Sequence, residues 1–248
     1  PEVIALRRVG GAGLIEWGYL ILIATLVQAA IAALVLILLP LRRVKRNWPA
    51  GTGPCMGAYF LLLGLAFLFI EMAFIQKFIL FLSHPLYSVA VVLSGFLVFA
   101  GLGSAWSESL AGKLEGIGRS PVAIAVGSIA LLTILYVILL PLVFQRFIGY
   151  SDLVKIVISI VLIAPLGISM GMPFPLGLKH VAANAPDFVP WAWGINGFAS
   201  VISAVLATLL AIEFGFVFVI MIALASYAMA ALIFTSSTGT TSPSPLHQ

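Results

Sequence analysis

The stretch Pro165–His180 reads PLGISMGMPFPLGLKH and closes a long apolar run that begins near Leu153. It decides the fold because it is apolar enough to enter a bilayer, yet it holds three prolines and three glycines. Proline removes a backbone donor and crowds the preceding helical turn. In hydrocarbon a freed carbonyl must find its partner inside the protein. The stretch therefore predicts a membrane helix kinked at Pro165 and broken between Gly171 and Pro175. Met172, Pro173, Phe174 and Pro175 are expected to be non-helical, with the break turned towards protein or water.

The composition around that stretch agrees with a membrane setting. The chain has 248 residues, 62% hydrophobic and only 8% charged, where a soluble domain carries about 25% charged residues. The fold class this implies is all-α, a polytopic bundle of transmembrane helices. The net charge of +4 comes from a few loop clusters and gives no reason to expect nucleic acid. The single cysteine, Cys55, excludes an internal disulfide and a cysteine-based metal cluster. The chain starts at Pro1, which suggests a processed product or the C-terminal part of a longer polypeptide. The first apolar run is too long for the core of a signal peptide.

A helix needs about 20 apolar residues to span a bilayer, and seven segments meet that length: about 17–40, 57–83, 86–106, 121–144, 153–178, 190–212 and 216–234. Ser83-His84-Pro85 is too short for anything but a tight turn, so the second and third segments form an antiparallel hairpin. Residues 107–120 read as a polar loop. The division is a polar lead over 1–16, a helical bundle over 17–235 and a disordered Ser/Thr/Pro tail over 236–248. Arg42, Arg43, Lys45 and Arg46 follow the first segment. They read either as a topology signal or as a site for anionic lipid headgroups. With all seven segments spanning, the more basic loops are those after the first, third and fifth. The positive-inside rule puts them in the cytoplasm and the N-terminus outside.

Glu71 is the sharpest single residue, because ionisable groups in mid-membrane are rare and mark function by default. It reads as a cation or proton site, or as a carboxyl bonded to another helix. Gln76 reads as an interhelical hydrogen bond or a ligand contact. Trp193, Asn196, Ser200, Ser203 and Ala207 recur at spacings of three and four, so they share one helix face. That face either packs closely on a neighbour or lines a polar cavity, with Asn196 as its first ligand contact. The broken segment, Gly171, Pro173 and Pro175, is a structural kink or a cation site of the kind discontinuous helices build. No histidine pair has metal or haem spacing, no catalytic triad or phosphate loop occurs, and no metal, cofactor or catalytic residue is expected.

The phrases LIEWGYLILIATLVQA (Leu14–Ala29), FIEMAFIQKFILFLSHPLYSVAVVL (Phe69–Leu93), GLGS (Gly101–Ser104), GMPFPLGLKH (Gly171–His180) and PWAWGINGFASV (Pro190–Val201) resemble the C-terminal membrane region of bacterial spermidine synthase-like membrane proteins. The resemblance covers about Leu14–Phe234. It implies a bacterial inner-membrane location, and a soluble aminopropyltransferase- or methyltransferase-like domain before Pro1 in the whole protein. It assigns no catalytic role to any residue here, since the domain that would hold S-adenosylmethionine is not in this sequence. A cytoplasmic domain before Pro1 would put the N-terminus inside, against the charge count. Three functions stay open: binding or transport of a small organic cation such as a polyamine, an accessory subunit packed on other membrane subunits, and an enzyme acting on a lipid-like substrate.

Overall fold

The computed structural model describes residues 12–44, 48, 51–116 and 120–239, with backbone alone for 12–16, 52, 115, 238 and 239. The described residues form helices joined by short turns. Helix α1 (Ala12–Ala33) continues through a π-helical turn (Leu34–Leu38) and a last turn at Leu39–Leu41. Pro40 offers no N–H to the carbonyl one turn back, and the wider turn, closed by Leu39 N–H on Leu34 O, lies immediately before it. Then come α2 (Thr52–Leu82), α3 (Pro85–Glu115), α4 (Pro121–Phe147), α5 (Asp152–Met170), α6 (Pro173–Asn184), a 3-10 turn (Pro186–Phe188), α7 (Val189–Phe214) and α8 (Phe216–Gly239). Taking α5 and α6 as one span, seven stretches among the described residues are long and apolar enough to cross a membrane.

The turns follow from their residues. Ser83 adopts φ +60°, His84 is extended, and Pro85 starts α3, a position where its missing N–H costs nothing. Gly215 joins α7 to α8 at φ +84°, a conformation that favours glycine. Three stretches are more helical than the sequence reading has them. Helix α3 runs on through residues expected as loop, because SESLAGKLE is polar but well suited to a helix. The helix break is also shorter than expected. Only Gly171 and Met172 separate α5 from α6, and Pro173 and Pro175 lie in the first turn of α6. First-turn N–H groups have no helical partner, so prolines fit there. The chain bridges the gap with Gly171 N–H on Gly167 O at 3.0 Å and Met172 N–H on Ser169 O at 3.3 Å. Helix α8 runs to Gly239, through the first four residues of the stretch 236–248 expected as a disordered tail, because the hydrogen-bonded helix carries on past the last apolar residue; the rest of the tail, 240–248, and residues 1–11 of the lead lie outside the described residues.

Helix α2 is the axis of the bundle. It is the most enclosed span and packs on α7, α8 and α3, whereas α1 lies at the edge against α7. Without a strong hydrophobic drive between helices in lipid, close packing through small residues decides which helices meet. Helices α3 and α5 run parallel and nearly touch by backbone. A methyl group on Gly103 would collide with the Ile168 carbonyl, and one on Gly171 with the Ala100 carbonyl. Gly177 of α6 receives the Tyr59 ring in the same manner. The Tyr59 hydroxyl, buried, donates to Pro173 O at 2.5 Å and ties α2 to the break.

The contacts sort the helix ends into two groups. At one end Trp48 meets Phe188 at 5.1 Å, Tyr59 meets Phe234 at 5.4 Å, and Lys179 lies 4.0 Å from Glu108. At the other, Phe81 stacks on Phe144 at 4.4 Å. The first group carries Arg42, Arg43, Lys113 and Lys179; Lys45, Arg46 and Arg119 lie outside the described residues. A C-terminal fusion is accordingly expected on the cytoplasmic side, fluorescent with green fluorescent protein and inactive with alkaline phosphatase; the reverse pattern contradicts this orientation. Overpacking a tight contact costs about 1–3 kcal/mol. Gly103→Ala and Gly171→Ala are each expected to lower stability by at least that much, measured by thermal unfolding in detergent. Gly101→Ala, whose methyl group meets nothing within 4 Å, should not.

Candidate functional site

Some of the residues singled out in the sequence, Asn196 and Gln76 among them, lie along the seam between α2 and α7. The two helices run parallel: Gly57 meets Ile195, Gly64 meets Asn196 and Ala199, and Gln76 lies beside Ala207, Thr208 and Ala211. A methyl group on Gly64 would sit 2.6 Å from Asn196 O and 2.9 Å from Ala199 Cβ, so the backbones approach closely there. That approach lets Asn196 Nδ2 donate to Phe60 O across the seam at 3.1 Å. Ser200 and Ser203 bond within their own helix, to Asn196 O at 3.0 Å and Ala199 O at 2.6 Å. Their hydroxyls take the usual i−4 carbonyls and leave small, smooth contact surfaces. Trp193 lies at the outer end of the stripe, 58% exposed, with its ring 4.6 Å from Phe174.

Glu71 lies two turns beyond Gly64 on α2, and the parallel register brings it level with Ser203. It is 3% exposed, and its Oε1 has no hydrogen-bond partner among the described residues. A buried polar atom without a partner is uncommon and asks for an explanation. Nearby, between Gln76, Thr208 and Ala211, is a space of about 10 Å³, close to the least that admits one water. Neither Asn196 nor Glu71 lines the groove of 470 Å³ between α2, α4 and α8, the cleft of 260 Å³ at Arg42, the space of 630 Å³ along α1 or the small space at Gln76.

The remaining candidates are dispersed. Gly171, Pro173 and Pro175 belong to the α5–α6 junction, where the glycine seats α3 and Pro173 O accepts from Tyr59. Arg42 and Arg43 are exposed after α1, and Arg42 lines a cleft of 260 Å³ with Leu34, Leu38 and Trp191. His180 lies within α6, its ring 5.4 Å from that of Phe234. Among the described residues no group of three or more His, Cys, Asp or Glu could hold a metal ion.

Two polar features do not stand out in the sequence. Lys155 is largely buried near the start of α5, 3.9 Å from the exposed Asp152; the i,i+3 spacing is its only local sign. Lys77 and Thr133, distant in sequence, line one groove of 470 Å³ between α2, α4 and α8. No nearby motif could announce that pairing.

These spans define a multi-pass integral membrane protein. No protein-family model, curated protein or solved structure matches the chain.

Loss of a neutral hydrogen bond costs about 0.5–1.5 kcal/mol. Asn196→Ala, which takes the donor from Phe60 O, is expected to lower unfolding stability by that amount; Trp193→Ala, at an exposed position, is expected to cost less. Equal losses would contradict the interhelical role of Asn196.

Proposed function

We propose that the chain is the membrane region of a spermidine synthase-like protein of a bacterial inner membrane, and that it serves as a packed accessory domain holding other membrane subunits or a soluble domain. The sequence phrases resembling that family support the first part. The observation that carries the second is the closed α2–α7 seam. Gly64 and Asn196 meet at backbone distance, and the Asn196 amide is already engaged by Phe60 O. A passage for an organic cation needs a wet cavity joining the polar residues; the close contact at Gly64 and the engaged Asn196 amide support packing at this seam instead. Coupling between helices through small residues and interhelical bonds is how membrane bundles gain rigidity.

One observation favours the second reading, a cation-binding domain: the buried, unpartnered Oε1 of Glu71. The two readings part in a flux assay. The full chain in liposomes is expected to give spermidine uptake no greater than protein-free vesicles, and Glu71→Gln is expected to leave that unchanged. Saturable uptake abolished by Glu71→Gln in a folded protein would replace the accessory reading with transport.

A further inference from the structure

Away from the α2–α7 seam, the groove between α2, α4 and α8 has a volume of 470 Å³, within the range of about 300–1,000 Å³ typical of small-molecule sites. Its walls are apolar, with Phe74, Tyr136, Leu140, Phe144, Val217 and Ile220 among them. Three side chains break that character. Lys77 has no carboxylate within 4.0 Å among the described residues, whose ion pairs are Lys155–Asp152 and Lys179–Glu108. Gln145 lines the same outer part. Thr133 is 1% exposed, and its Oγ1 has no hydrogen-bond partner. Pro141, also in the wall, withholds the N–H that the Val137 carbonyl would otherwise accept.

Depth gives these groups an order. At a rise of 1.5 Å per residue, Lys77 lies about 14 Å from the midpoint of the α2 span and Thr133 within about 2 Å of the midpoint of α4. The hydrocarbon core is about 30 Å thick, so the groove climbs one leaflet from midplane to headgroup level. Leu80, Val137 and Val217 on its rim are exposed, so it opens sideways to lipid. A tightly closed interface would have paired the Thr133 hydroxyl or excluded it.

We propose that this groove seats one anionic phospholipid of that leaflet, its phosphate against the Lys77 ammonium and Gln145 amide and one acyl chain running inward past Phe74, Tyr136 and Leu140 to Thr133. The uncompensated lysine supplies the charge match. The apolar walls and lateral opening select a bilayer lipid over a soluble anion. A zwitterionic headgroup would bring its own cation towards Lys77 and gain less. This site is separate from the α2–α7 seam and does not rest on the accessory reading.

The test is native mass spectrometry of the full chain in detergent with equimolar phosphatidylglycerol and phosphatidylcholine of identical chains. Wild type is expected to retain phosphatidylglycerol about fivefold more, the ratio one lysine near a charged lipid surface supports. Lys77→Gln should bring the ratio near one, Lys77→Arg should keep it, and Val217→Trp, which fills the groove, should reduce retention of both lipids. No preference in wild type, a preference unchanged in Lys77→Gln, or total retention unchanged in Val217→Trp overturns the proposal and moves lipid selection elsewhere, such as the basic end of α1. Displacement of phosphatidylglycerol by equimolar palmitate overturns the choice of a phospholipid. Should Lys77→Gln fail to fold, Val217→Trp decides alone.

Discussion

The bundle depends on how closely α3 and α5 approach at Gly103 and Gly171. In lipid, two apolar helices gain little by leaving hydrocarbon for each other, so shape and dispersion settle which pairs form. Here the contact is between backbones, with no room for a methyl group on either glycine. That contact fixes α5 and therefore the α5–α6 junction. The junction in turn presents Pro173 O to the Tyr59 hydroxyl and Gly177 to the Tyr59 ring. Helix α2 is thus held at the centre from one side by the junction. From the other it is held by the Gly64–Asn196 seam with α7. Where side chains are longer, rings fill the space: Phe74, Phe78, Phe81 and Phe144 form a run of stacked and edge-on ring contacts along α2 and α4.

Much of this is legible in the sequence, because the bilayer imposes a coarse rule. Seven apolar runs of spanning length become seven spans, and Ser83-His84-Pro85 becomes a tight turn because Pro85 suits a helix start. What is not legible depends on distinctions that hydropathy does not make. Polarity in SESLAGKLE marks departure from the bilayer, not from the helix, so α3 extends past Trp106. The prolines after Gly171 signal a break, but a first turn tolerates them, so the break shrinks to two residues. The stripe from Asn196 to Ala207 is plain in the spacing. Whether it lines a cavity or a contact depends on Gly64, a residue on another helix whose own neighbourhood gives no sign of it. The groove of Lys77 and Thr133 is hidden for the same reason.

The charged and polar groups in the membrane divide by what surrounds them. Asn196, Ser200 and Ser203 are engaged by carbonyls and serve the packing. Lys77 faces a space open to lipid, where a long side chain keeps its charge near the headgroups. Glu71 has neither arrangement: it is enclosed, with one oxygen unpartnered. The closest helix contacts of α2 are thus with α7 and α8, and the groove of Lys77 lies at the lipid-facing side.

The measurement that tests this most directly is thiol labelling along the α2–α7 seam. In a Cys55→Ser background, Ser203→Cys would be exposed to a membrane-impermeant maleimide in sealed vesicles of either orientation and in detergent. A closed seam predicts no labelling until the protein is unfolded. Rapid labelling from either side of the folded protein would mean that water reaches the level of Glu71, and the packed interior would be wrong.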